Sequence, residues 1–145
     1  MRQIEVTYDP GLKRFLHRGA SLYMWRDFFP NAQIYGADIR PETMFEDERI
    51  RTYVCDERKK EDLEKLVENT GPDIDIFVDD GSHNLSDQIF ACQTLMPLLK
   101  KDVIYIVEDV VWTRKFVSAL VGYNCWVPQI ANRGGINQLV VVQNR

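Results

Sequence analysis

An α/β fold, a three-layer Rossmann-like sandwich around a mostly parallel sheet, is the class that this sequence predicts, on three observations. Short apolar runs rich in β-branched residues alternate with stretches of helical period. Several runs end abruptly in acids: Gln33 to Ile39 carries Asp38, Ile74 to Val78 leads into Asp79 and Asp80, and Val103 to Val107 into Glu108 and Asp109. Two final segments, Tyr123 to Pro128 and Gln138 to Gln143, flank a polar loop with Gly134 and Gly135. That spacing suits an antiparallel pair closing one sheet edge. The alternation elsewhere implies right-handed parallel crossovers, and in such sheets ligands bind beyond the carboxyl ends of the strands.

Each element has a local reason. Ser21 to Phe29 places Leu22, Trp25, Phe28 and Phe29 on one apolar side of a short helix, which Pro30 stops. Gln33 to Ile39 is a strand, and Arg51 to Cys55 is another that ends in Asp56. Lys60 to Asn69 turns Leu63, Leu66 and Val67 toward the sheet, and Thr70, Gly71 and Pro72 close this helix. The strand Asp75 to Asp79 follows. Leu85 to Leu99 is amphipathic through Leu85, Ile89, Cys92, Met96 and Leu99, with Pro97 expected to kink or stop it. Val103 to Val107 is the next strand, followed by a helix around Thr113 to Leu120. Residues 1 to 16 offer at most an edge segment, around Gln3 to Tyr8.

With 145 residues the chain fits one domain, 1–145, with a sizeable core. A net charge of −4 argues against a nucleic-acid-binding surface. The cluster Arg49, Arg51, Arg58, Lys59 and Lys60 reads as a solvated face. Cys55, Cys92 and Cys125 are odd in number and lack metal-type spacing, which points to free thiols in a reducing, cytoplasmic setting. No apolar stretch approaches a membrane span, and the first residues lack the apolar region of a signal peptide.

The chemistry concentrates in Val78-Asp79-Asp80-Gly81-Ser82-His83 and in Glu108-Asp109. Neighbouring strand ends would present four carboxylates and an imidazole to one crevice, enough to hold a hard divalent cation. A plainer reading has the acids mark strand-to-loop transitions and His83 satisfy its own loop. Asp38 and Asp56 could likewise cap turns.

These segments, with Gly19-Ala20-Ser21-Leu22-Tyr23-Met24-Trp25-Arg26-Asp27-Phe28-Phe29-Pro30 and Ile34-Tyr35-Gly36-Ala37-Asp38-Ile39, resemble class I S-adenosylmethionine-dependent methyltransferases. The similarity is greatest to the Mg²⁺-dependent macrolide sugar O-methyltransferases and their cephalosporin hydroxylase-like relatives. It implies cofactor contacts from Gly19, Ser21, Asp38, Asp56 and Asp79. In that family pattern Asp38 meets the ribose hydroxyls and Asp56 the adenine amino group. Asp80, Glu108 and Asp109 would ligate Mg²⁺, and His83 would act as general base on a small-molecule hydroxyl, a sugar for instance. The resemblance leaves room for a homo-oligomer.

One departure bears on function. The family pattern runs a first strand through an acid and a Gly-rich turn into the residues matching His17 to Ser21. Here Phe15 and Leu16 precede His17 directly, so the turn is incomplete. A catalytically silent methyltransferase-fold module is therefore the alternative to an enzyme.

Overall fold

In a computed structural model the chain is described over residues 2–7, 19–129 and 138–145, the first of these segments by its backbone. Strands β1 (Arg2–Thr7), β2 (Gln33–Asp38), β3 (Glu46–Asp47), β4 (Ile50–Val54), β5 (Ile76–Asp80), β6 (Ile104–Val110), β7 (Tyr123–Trp126) and β8 (Gln138–Asn144) form a single sheet. Its order is β3-β4-β2-β1-β5-β6-β8-β7. Helices α1 (Ala20–Phe28), α2 (Lys60–Thr70), α3 (Leu85–Leu95) and α4 (Thr113–Ala119) fill the connections.

The β1 strand is a correction to the sequence reading. Arg2–Thr7 pairs in parallel with β2 on one side and β5 on the other, so it is a central strand and not an edge segment. The alternation of Gln3 and Glu5 with Ile4 and Val6 reads as half-exposed, but pairing on both sides decides its place. Residues 8–18, which contain the incomplete turn, and the loop with Gly134 and Gly135 lie outside the described residues. The C-terminal pair forms as expected: β7 runs antiparallel to β8 at one edge, and β8 antiparallel to β6.

Parallel register brings the strand ends to one level. Ala37, Val6, Asp79 and Val107 form one row across β2, β1, β5 and β6. The residues that follow them, among them Asp38, Asp80 and Glu108, therefore emerge at the same sheet edge.

The two faces are covered differently. Tyr35, Ala37, Phe77, Tyr105 and Val107 pack with Leu63 and Leu66 of α2, Cys92 and Leu95 of α3 and Phe116 of α4. On the other face Leu22 of α1 packs with Ile34 and Ile50. Gly36 makes this approach possible, because a Cβ there would strike a methyl carbon of Leu22. Burial of such side chains contributes on the order of 1.5–3 kcal/mol each.

Two local expectations change, and at Pro97 the early stop is realised instead of the kink. Phe28 is 70% exposed, so the apolar side of α1 is narrower than its sequence suggests. The α3 helix ends at Leu95, with Met96 as its C-cap, because Pro97 offers no N–H to continue the ladder. Arg49 leaves the solvated cluster: its guanidinium donates to the carbonyls of Arg26, Phe29 and Ala32 at 3.1–3.2 Å, closing the C-terminal end of α1.

Candidate active site

The β5 strand carries its acids into a tightly held turn. Asp79 is only 1% exposed, and accepts hydrogen bonds from the Tyr105 hydroxyl (3.1 Å) and the Gly81 amide (3.3 Å). Tyr105 is itself fixed by stacking on Phe77, with ring centroids 4.8 Å apart. Burial, and then the neighbouring Glu57 carboxylate, push the Asp79 carboxyl well above the usual range. Beyond it, the Ser82 amide donates to Glu57 Oε1 at 2.6 Å, and the Ser82 hydroxyl donates to Asp87 at 3.0 Å. Asn84 caps α3 by accepting from the Ser86 amide. Between these anchors His83 adopts a left-handed backbone, φ 56°.

The β6 strand meets this turn through an irregularity. Its register against β8 shifts between Val107 and Val110, and Asp109 has φ 53°. Such a bulge re-aims side chains at a strand end. The buried Gln88 amide of α3 holds the segment by donating to the Glu108 carbonyl at 2.9 Å.

Asp80, His83 and Asp109 converge there. Each offers a ligand atom within 4.8 Å of the others. His83 Nε2 lies 3.7 Å from an Asp80 oxygen, and Nδ1 lies 3.5 Å from Asp109 Oδ2. Among the described residues, His83 Nδ1 is buried without a hydrogen-bond partner. An imidazole nitrogen left this way between two carboxylates, at a strand-end crevice, fits a divalent cation or a proton-transfer role.

Glu108 neighbours Asp109 and His83 but is not one of the three whose ligand atoms meet. Successive strand residues point to opposite faces, so neighbouring acids do not automatically share a target. Of the expected ligands Asp80, Glu108 and Asp109, the structure brings Asp80 and Asp109 together with His83 at the third corner. Glu108 is half-buried, and burial, followed by the nearby Asp109 charge, raises its carboxyl.

The residues expected on the cofactor side also lie at strand and helix ends. Asp38, buried at the end of β2, accepts from the Arg40 amide at 2.8 Å and the Arg40 guanidinium at 3.3 Å. Asp56, buried beyond β4, accepts a two-pronged contact from Arg58 at 2.8 and 3.0 Å. That contact is the main cause that lowers the Asp56 carboxyl below its ordinary value. Gly19 is the N-cap of α1 at φ 70°, with the Phe45 ring against it. Ser21 sits half-buried in the first turn of α1, where backbone amides lack intrahelical partners.

Glu57 was not singled out in the sequence. It nevertheless follows Asp56 as a third acid doublet at a strand end, the same signal that marked Asp79-Asp80 and Glu108-Asp109.

The strand order, the antiparallel closing pair and the acids at one edge define the class I methyltransferase fold. No family model matches the chain. Over 95 residues it is 39% identical to mycinamicin VI 2''-O-methyltransferase of Micromonospora griseorubida, covering 66% of this chain and 23% of that protein. It is 38% identical over 95 residues to 8-demethyl-8-(2-methoxy-alpha-L-rhamnosyl)-tetracenomycin-C 3'-O-methyltransferase of Streptomyces olivaceus, covering 66% and 24%. The chain thus spans about a quarter of the length of the curated relatives it matches. Among solved structures, the MycE methyltransferase from the mycinamycin biosynthetic pathway, in complex with Mg and SAH, superposes with a TM-score of 0.75 at 24% identity. That match covers 99% of this chain and 44% of the other.

Proposed function

We propose that this chain forms the cofactor- and metal-binding part of an S-adenosylmethionine- and Mg²⁺-dependent O-methyltransferase acting on a sugar or similar small-molecule hydroxyl. The observation that carries the reading is the convergence of Asp80, His83 and Asp109 in a methyltransferase fold, with buried Asp38 and Asp56 at neighbouring strand ends. The names of the similar proteins support the acceptor class.

In this reading Asp80 and Asp109 hold the cation, with Glu108 as a further carboxylate beside them. A divalent cation held there would supply Lewis acidity toward the acceptor hydroxyl. His83 takes the hydroxyl proton as general base, held by the turn that Ser82 and Asn84 pin. Asp38 accepts from the ribose hydroxyls and Asp56 from the adenine amino group, while Asp79 lines the cofactor side. Gly19 and the first-turn amides near Ser21 receive the carboxylate of the methionine part. The cytoplasm is the proposed setting, in keeping with free thiols at Cys55, Cys92 and Cys125.

One observation favours the second reading, a silent module: Arg40 and Arg58 already engage Asp38 and Asp56. Calorimetry with S-adenosylhomocysteine, with and without Mg²⁺, separates the two. The enzyme reading requires saturable binding that Asp38→Ala weakens. No binding at millimolar ligand favours the silent module.

A further inference from the structure

We propose that Glu57 is a positioning residue whose buried carboxyl holds the turn Gly81 to His83, and thereby the Asp80–His83–Asp109 trio, against the loop that follows Asp56. Glu57 is 7% exposed and reaches across from the β4 side of the sheet to the β5 side. One of its oxygens accepts the Ser82 amide at 2.6 Å. The other, Oε2, is buried with no hydrogen-bond partner of fixed geometry among the described residues, and the Glu57 carboxyl as a whole neighbours that of Asp79. The carboxyl lies against Gly81 so closely that a Cβ there would collide with both oxygens.

Packing alone does not explain a carboxyl in this place. An apolar side chain of similar volume would fill it without the cost of removing a charge from water. What a carboxyl adds is an acceptor directed at one amide, one residue before His83. The bond therefore fixes the part of the turn that aims the imidazole. It also ties the proposed adenine-side loop to the proposed metal-side loop, since Asp56 and Glu57 are consecutive. The functional consequence rests on the metal reading above, whereas the positioning itself does not.

Two substitutions approach the contact from opposite sides. Glu57→Gln keeps an acceptor for Ser82, while Glu57→Ala removes it. Gly81 lacks a positive φ, so Gly81→Ala suits its backbone and instead drives the Glu57 carboxyl away. The experiment is amide hydrogen exchange at Ser82, referenced to amides of β5, together with Mn²⁺ titration. The native chain and Glu57→Gln should exchange alike at Ser82. Glu57→Ala and Gly81→Ala should exchange about ten- to a hundredfold faster there, without an equal change in β5. Mn²⁺ affinity should fall on the order of tenfold in the same two variants, through Asp80, the ligand that directly precedes this turn.

Unchanged Ser82 exchange in Glu57→Ala and Gly81→Ala overturns the proposal, as does equal acceleration throughout β5. If Glu57→Ala does not fold, Gly81→Ala carries the test. Selective acceleration at Ser82 in a chain that binds no Mn²⁺ supports the positioning role and removes the metal reading.

Discussion

Asp79 shows how one buried carboxyl links the site to stability. Burial raises its pKa in the folded chain, so the protonated form is favoured there. An acid raised in this way stabilises the fold fully below the unfolded value of about 3.9, and that contribution is lost as pH rises through the folded value. In metal-free chain the Asp79 contribution to stability should therefore fall as pH climbs above about 4. Asp79→Asn resembles the protonated acid and can still accept from Tyr105. Urea unfolding across a pH series in chelator should show a flatter profile for Asp79→Asn, and an identical slope in both proteins would refute this account.

At the same scale, Asp80 and His83 separate ligand from base. Asp80→Asn should weaken Mg²⁺ or Mn²⁺ binding by on the order of tenfold, because it removes a charged oxygen donor from a cation that prefers oxygen. His83→Gln should leave Mg²⁺ affinity within about threefold, since an imidazole is a poorer match for this ion than a carboxylate. Calorimetry measures both. A large loss in His83→Gln would make His83 a ligand in place of a base.

Elements are stabilised by contacts that periodicity does not show. Leucine and valine spacing located α2 closely, and Pro97 correctly marked an obstacle near the end of α3. Arg49 was read with the solvated basic cluster because charge alone places it there. Its role depends on a left-handed backbone, φ 60°, that turns its guanidinium toward the end of α1. Arg49→Ala should cost about 1–2 kcal/mol by losing the carbonyl contacts. Arg49→Gly loses the same contacts but is relieved of the left-handed penalty, so it should be less destabilised than Arg49→Ala by roughly 1 kcal/mol. Chemical denaturation of the three proteins checks both the magnitude and the order.

The acids were legible as strand-end marks because apolar runs stop at them. Their mutual geometry was less legible. Which of Glu108 and Asp109 faces His83 depends on the register shift in β6, and no spacing rule reports a bulge. Glu57 escaped notice because its partner Ser82 is far away in sequence and is reached only across the sheet.

Across the whole molecule, parallel register assembles residues from β2, β4, β5 and β6 at one edge, so ligand binding there should stabilise the fold as a unit. The central position of β1 matters to this, because it joins the β2–β4 half, with Asp38 and Asp56, to the β5–β6 half, with the trio. A ligand that binds only the native state adds RT ln(1 + [L]/Kd), or about 2.7 kcal/mol at a hundredfold excess over Kd. For a chain of 145 residues, that amounts to roughly 5–10 °C in Tm. S-adenosylhomocysteine should therefore raise Tm, and Asp38→Ala should require more ligand for the same rise. Mn²⁺ alone should give a separate increment that Asp80→Asn reduces and Asp38→Ala leaves in place. Thermal scans over a matrix of both ligands measure these increments independently. A Tm insensitive to S-adenosylhomocysteine while responsive to Mn²⁺ would retain the metal centre and assign the chain to a module that does not take the cofactor.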